Sequence, residues 1–579
     1  MIKGMSGVSY LKKYIRRYGK LFVISICFLT LEALCDLFQP ALMSRVVDVG
    51  IRNRNMAFVL RMGGVMLGVT ALGAVGAVVR NNLSSRVSQR FGGDLRADLY
   101  ARIQSLSYET AARFDTASLV TRLTNDVTQL QNFSNGLMRI FIKAPILCVG
   151  GVVMASLLDP QGALVLALVV PCVAVIVVFG MRRGYPLFAR VQRAVDGVNG
   201  AMRAYLGGVR VVKSFHRFDY EQARFARENE ALCGAQARAM RTMAMFGPSV
   251  MMVVNMGIVA VLWLGGWRID AGSLEVGKVM AFINYMTQIS TSLMTIFMVF
   301  TMFVRARASA ERIGEVMNAQ DVLREPARPR ELGEEARVRF SHVTFAYPGG
   351  GPVLQDISFA CTAGQTVGLI GSTGAGKTSL VDLIPRFYDP AEGTVEVCGV
   401  DVRQADAAAL RRRIAVVPQK STLFTGTILE NLRWGDEHAT REEIGAGAKL
   451  AQAHDFITAL PEGYETRLGQ GGVNLSGGQK QRLAIARALV RRPDILILDD
   501  CTSAVDAVTE RKIREGLHAV ARGLLCIVIA QRIVSVMDAD VILVLDEGRV
   551  VGSGRHEALL QSCAVYRDIF ASQFGKAGV

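Results

Sequence analysis

Apolar positions fall into two textures along this chain. Six long apolar runs, at approximately 20–42, 57–80, 137–158, 162–183, 243–266 and 277–303, crowd its first half. A hydrocarbon core of roughly 30 Å is crossed by about 20 helical residues, so each run is long enough to span a bilayer. Beyond position 336, short β-branched runs alternate with helical patterns, which predicts an α/β domain. Between the two textures lies QDVLREPARPRELGEEA, a charged stretch containing Pro326 and Pro329 that reads as a linker. The expected organisation is an all-α six-helix transmembrane domain over 1–319, a linker over 320–336 and an α/β domain over 337–579.

The polar connections alternate as strongly. Links between runs 3 and 4 and between runs 5 and 6 are short and poor in Lys and Arg, whereas 81–136 and 184–242 are long, Arg-rich and patterned like helices. The positive-inside rule places both long excursions and both termini in the cytoplasm, with the chain in a cell (inner) membrane. Arg45, Arg52 and Arg54 in the first short link oppose that orientation. Excursions of this length exceed ordinary turns. Helical extensions of the spans would carry their tips, expected near Arg113–Phe114–Asp115 and Tyr205–Leu206–Gly207–Gly208, well beyond the membrane surface.

Composition changes this picture little. The net charge of +16 would suit a nucleic-acid binder, but basic residues flanking membrane helices account for it, and no nucleic-acid partner is expected. Ten cysteines without a C-x-x-C pair argue against a zinc site or disulfide framework and fit a reducing compartment. The chain starts with a basic segment, Lys12 to Lys20, and no cleavable leader is evident.

The chemistry lies in the second half. Gly371, Ser372, Thr373, Gly374, Ala375, Gly376, Lys377 and Thr378 follow the apolar strand Thr366–Ile370 and precede a helical pattern. This is G-x-x-x-x-G-K-[ST] in its strand–loop–helix setting. Its glycines free backbone N–H groups to wrap phosphates, Lys377 reaches β/γ oxygens, and the Thr378 hydroxyl is suited to Mg²⁺. A second apolar strand, ILIL at 495–498, ends in Asp499 and Asp500, and Asp499 is placed to hold Mg²⁺ through water. Ser476 opens the helical stretch GGQKQRLAIARAL and is suited to cap it, making a second anion-binding helix end. Two such ends facing one γ-phosphate imply a sandwich, most simply between two subunits.

On these motifs the chain resembles the ATP-binding cassette (ABC) exporters of half-transporter type over essentially its whole length. The resemblance implies ATP and Mg²⁺ as cofactors, with a Walker A loop at 371–378 followed by Ser379. It implies a signature motif at Leu475, Ser476, Gly477, Gly478 and Gln479, a Walker B Asp499, a D-loop over Ser503–Asp506 and a Q-loop Gln419. Tyr347 in FAYP would stack on adenine, Mg²⁺ would be held by Thr378, Gln419 and Asp499, and the tips of 81–136 and 184–242 would be coupling helices.

The resemblance is imperfect chiefly at two positions; a third, softer departure is Gln470, in RLGQGG ahead of the signature motif, where many relatives have glutamate. Where the family usually carries a catalytic glutamate this chain has Asp500, and where it carries a switch histidine it has Gln531. Aspartate is shorter by one methylene, a retreat of roughly 1.5 Å, and a general base must come within about 2.6–3.2 Å of its water. Glutamine hydrogen-bonds but cannot become a cation. Tolerated drift would leave the site hydrolytic. The alternative is a site that binds ATP and turns it over poorly, in a heterodimer whose partner half-transporter brings glutamate and histidine while this chain lends its intact signature motif. That pattern is similar to the degenerate-site subunit of bacterial heterodimeric multidrug exporters.

For the solute, Asn284, Gln288, Thr291 and Thr295 share one face of span 6, either lining a translocation path or bonding between packed helices. Methionines 251, 252, 256, 286, 294 and 298 suit a pocket for varied apolar solutes. Asp36 is read as the only acid deep within an expected span, hence a functional candidate, and Arg139 and Lys143 are given no role. The expected cargo is a hydrophobic or amphipathic drug or lipid-like molecule moved outward, with membrane lipid around the spans. An exporter-shaped siderophore importer and a nucleotide-gated membrane regulator remain open.

Overall fold

A computed structural model describes residues 10–323, 325–520 and 523–574; Arg324 of the expected linker and the ends of the two expected domains lie outside the described residues. The chain forms two compact units. One holds the residues up to Ser105 together with Phe114–Ala319; the other holds Leu106–Arg113 and everything from Gln320 on. The segment Leu106–Arg113, expected within the first domain, thus belongs with the second unit.

The first unit is helical: α1 (Leu11–Arg45), α2 (Met56–Ser105), α3 (Tyr108–Ala112, the piece that joins the other unit), α4 (Thr116–Thr121), α5 (Val127–Gly136), α6 (Lys143–Leu158), α7 (Ala163–Ser214), α8 (Phe218–Asp270) and α9 (Val276–Met317). Wide π-helical turns at Val46–Ile51, Arg122–Asp126 and Leu137–Phe141 join or extend them. Among the described residues five helical stretches are long and apolar enough to cross a membrane. The sixth expected span lies in α9, a continuous helix of 42 residues, ample at 1.5 Å per residue. As expected, α2, α7 and α8 run far past their apolar segments. Tyr285, Ile289 and Met286 of α9 form the centre of the core with Val169, Val173 and Val254. The Tyr285 hydroxyl donates to the Leu37 carbonyl at 2.6 Å.

Three expectations for this unit need correction. The second tip is not at Tyr205–Gly208: α7 continues to Ser214 and the chain turns at Phe215–Arg217, with His216 left-handed at φ 50°. Two glycines, at roughly 1 kcal/mol each, do not stop a 52-residue helix whose next six residues, VRVVKS, carry the pattern on. Asp36 is not the only acid in its span. Glu32 lies one turn earlier on the same face, is buried, and accepts from Arg80 Nε at 2.7 Å and Lys143 Nζ at 2.6 Å. Lys143 therefore does not snorkel free; it also pairs with Asp36 at 2.9 Å. Two acids and two bases from α1, α2 and α6 neutralise one another, the usual condition for ionised groups at membrane depth.

The second unit is α/β. Strands β1 (Arg337–Ala346), β2 (Pro352–Thr362), β4 (Glu392–Val397) and β5 (Val400–Asp401) make an antiparallel sheet in the order β2-β1-β4-β5. A second sheet, β12-β11-β3-β10-β9-β6, is built from β3 (Thr366–Gly371), β6 (Ile414–Val417), β9 (Ile495–Asp499), β10 (Leu525–Ile529), β11 (Val541–Asp546) and β12 (Arg549–Gly554), parallel except for β12. β7 (Gly426–Thr427) pairs with β8 (Arg467–Leu468). The helices are α10 (Lys377–Asp382), α11 (Ala407–Arg413), α12 (Ile428–Arg433), α13 (Arg441–Leu450), α14 (His454–Thr458), α15 (Gly477–Val490), α16 (Ala507–Val520), α17 (His556–Ser562) and α18 (Ala564–Phe574). The central strands are buried on both faces, which is why they read as unbroken apolar runs. Segment α3 seats here: the Tyr108 ring lies 5.5 Å from Phe387 and 5.8 Å from Tyr388, and Thr110 donates to Asp321 at 3.0 Å.

Candidate nucleotide site

The parallel sheet sets the site. In register, Ile529 of β10 faces Leu369 of β3 on one side and Asp499 of β9 on the other. The loops after all three strands therefore emerge together at the carboxyl edge, where α/β sheets bind ligands. These loops carry 371–378, Asp499–Asp500 and Gln531.

In the first loop, Gly374 and Gly376 adopt φ of 87° and 95°. A Cβ on Gly376 would come within 2.8 Å of Leu354 and 3.1 Å of the Val353 carbonyl, so both conformation and space require glycine. Ser372, Thr373 and Gly374 are exposed, Ala375 is buried, and Lys377 Nζ lies over the loop, donating to the Gly371 and Ser372 carbonyls at 2.8 Å each. Burial lowers the Lys377 ammonium from its usual value, with Asp499 and Asp500 opposing. Thr378 Oγ1 donates to Asp499 Oδ2 at 3.0 Å. Burial pushes the Asp499 carboxyl up; the Thr378 hydroxyl opposes this and the neighbouring Asp500 adds to it.

Asp500 sits in a left-handed conformation, φ 46°. One oxygen, Oδ2, accepts from two amides, Gln419 Nε2 at 3.1 Å and Gln531 Nε2 at 2.8 Å. The three residues singled out from the sequence thus meet in one contact. Tyr347 lies beyond β1, packed edge-on to Phe345 and Tyr388, its hydroxyl 2.9 Å from that of the buried Ser379.

No group of three His, Cys, Asp or Glu side chains that could hold a metal occurs among the described residues. The hard oxygens of Thr378 and Asp499 nonetheless fit Mg²⁺, which takes one or two protein oxygens and completes its octahedron with waters and phosphate. The Gln419 amide nitrogen, for its part, is turned to Asp500.

Ser476 caps α15 as expected: its hydroxyl accepts from Gln479 N at 3.3 Å, and the Gln479 side chain accepts from Ser476 N at 2.9 Å. Ser476 and Gly477 are exposed, whereas Leu475 is buried in the core beneath. One turn on, Gln481, unremarked in the sequence, accepts from Ala504 N at 2.9 Å and donates to Ser503, tying Ser503–Asp506 to this helix. Asp506 itself caps α16, accepting from Thr509 N at 3.0 Å. In α9, Asn284 and Thr291 are exposed and Gln288 and Thr295 half-buried, the hydroxyls bonding back to their own helix. Met286 is core, while Met251, Met252 and Met256 are exposed. Glu32 was legible: it stands four residues before Asp36, on the same helical face.

A family model described as "ABC transporter transmembrane region" matches residues 22–293, and one described as "ABC transporter" matches residues 354–503. The chain is 38% identical over 566 residues to the uncharacterized ABC transporter ATP-binding protein YfiB of Bacillus subtilis, covering 98% of both chains. It belongs to the ABC transporter family. It is 40% identical over 572 residues to the uncharacterized ABC transporter ATP-binding protein MT1311 of Mycobacterium tuberculosis, again at 98% of each. A multidrug efflux ATP-binding/permease protein of Mycobacterium bovis is 32% identical over 563 residues, which cover 97% of this chain and 47% of that protein. Among solved structures, that of a bacterial Atm1-family ABC exporter with ATP bound superposes with a TM-score of 0.80 at 28% identity, covering 97% of this chain and 99% of that one. This ABC chain is therefore a multi-pass membrane protein of exporter type, with a transmembrane domain followed by an ATP-binding domain.

Proposed function

We propose that this ABC half-transporter is the hydrolysis-impaired member of a heterodimeric exporter of hydrophobic or amphipathic solutes. The observation that carries the reading is the pair of amide donors on Asp500 Oδ2. A catalytic base must offer an oxygen to the attacking water; here the side chain is one methylene short and one of its two oxygens, Oδ2, is already engaged by both amides. Phosphoryl transfer depends on positioning, and a displacement of about 1 Å costs on the order of 100-fold.

In this reading Gly371–Ser379, Tyr347 and Gln419 bind ATP, and Thr378, Gln419 and Asp499 hold Mg²⁺, which neutralises charge on the phosphates when bound. Ser476–Gln479, on its capped helix end, faces the nucleotide of the partner half-transporter, with Leu475 and Asp506 holding that surface rather than touching the ligand. The domain division runs through 320–336, and the two coupling tips are α3 and the turn at Phe215–Arg217, where Phe215 is 74% exposed. The relative named as a multidrug efflux protein is about twice this chain's length, as expected of two such halves joined, and supports drug-like cargo. The polar stripe of α9 and the exposed methionines of α8 would meet it.

The test is purification of the native complex and measurement of its ATP turnover before and after Asp500→Glu with Gln531→His. A rise in turnover, in a complex holding a second, different half-transporter, is expected. Brisk hydrolysis by a symmetric pair of unaltered copies would end the reading. ATP-driven uptake of solute into inverted vesicles holding both subunits, whose cytoplasmic face is turned to the medium, then separates export from a purely regulatory role.

A further inference from the structure

The switch position is itself held from the far end of the chain. Gln573, on the last described turn of α18, spans the loop with both ends of its amide. Its Oε1 accepts from Ile533 N at 2.8 Å and its Nε2 donates to the Gln531 carbonyl at 2.8 Å. An amide bonded to both sides of Arg532 acts as a cross-brace: the backbone of 531–533 cannot rotate without breaking a bond. The helix carrying it is anchored. Tyr566 and Phe570 pack with Ile370, the residue before the phosphate loop, and with Ala530 and Ile533, which flank the switch position. One cluster thus supports the Walker A strand, the switch loop and the C-terminal helix. From the other side, the Ser535 hydroxyl bonds Glu510, which also accepts from Thr502.

We infer that Gln573 is a positioning residue for the nucleotide site, setting the Gln531 side chain that holds Asp500 and that would meet the terminal phosphate. The inference rests on the reading of 371–378 as the ATP loop but not on whether this site hydrolyses. Gln531 stands beside Asp500 and Asp499, at the end of the site that a third phosphate would reach, so the brace bears on ATP and is silent for ADP.

The test is photolabelling of this chain in the intact membrane complex with azido-ATP and azido-ADP, with Mg²⁺, in wild type, Gln573→Ala and Gln573→Glu. Loss of both bonds in Gln573→Ala should weaken apparent azido-ATP affinity about fivefold or more and leave azido-ADP within about twofold. Gln573→Glu keeps the acceptor for Ile533 N and loses the donor to Gln531, so it should fall between. A merely structural role would move both nucleotides together. An unchanged ATP-to-ADP ratio in Gln573→Ala overturns the inference; if that variant takes neither label, the ratio in Gln573→Glu decides in the same way. Absence of azido-ATP labelling in the wild-type chain overturns the underlying ATP reading as well.

Discussion

Gln531 donates its side-chain amide to Asp500 Oδ2 at 2.8 Å, across two adjacent strand ends of the parallel sheet. Two departures from the family pattern, 31 residues apart, are thus in direct contact. Asp500 and Gln531, which stand apart in the sequence as two separate departures, make one interaction in the fold.

Contact predicts coupling. Asp500→Glu alone and Gln531→His alone should each raise ATP turnover of the complex by less than the double variant, whose gain at this site should be on the order of 10- to 100-fold. A double-mutant cycle in kcat checks this; strictly additive effects would separate the two residues.

Gly376→Ala should cost about 1–3 kcal/mol of local strain, from a forced φ of 95° and the approach to Leu354 and Val353. ATP binding by this chain, read by photolabelling, should fall sharply while membrane insertion is retained.

In the first unit, Glu32→Gln removes the shared partner of Arg80 and Lys143 and leaves buried charge uncompensated, at about 3–5 kcal/mol. Asp36→Asn should cost less, because Asp36 is more exposed and Lys143 keeps Glu32. Thermal melting of the lipid-reconstituted protein ranks the two, and equal losses would argue against a cluster centred on Glu32.

Burial, with Asp499 nearby, pushes the Asp382 carboxyl from 3.8 up to about 6. The folded unit holds this proton more tightly than the unfolded chain, so the destabilisation from ionising it is absent below about 4 and complete above about 6. Without nucleotide or metal, Asp382→Asn should therefore raise the melting temperature at pH 7 and leave it unchanged near pH 4. A pH series of melts on both proteins checks the sign.

Much of this was legible because period and punctuation agree. Long apolar runs give the spans, and the strand–loop–helix setting of 371–378 gives the phosphate loop. Ser476 with Gln479 three residues on gives the capped helix, since each feature is local. What escaped is what tertiary contact decides. Gly207 and Gly208 read as a turn, but a helix of 52 residues absorbs two glycines. Lys143 reads as a snorkelling cation until α1 brings Glu32 alongside. Gln481 and Gln573 look like ordinary surface glutamines, and nothing short of the fold sets their amides against the backbone of another loop.

The seating of Tyr108 against Phe387 and Tyr388 has a practical side. A cassette produced alone from residue 320 onward would be a jigsaw short of one tile, its missing tile encoded two hundred residues upstream. Such a fragment should be stickier and less sturdy than its parent, and adding a peptide copied from 106–113 should help to soothe it.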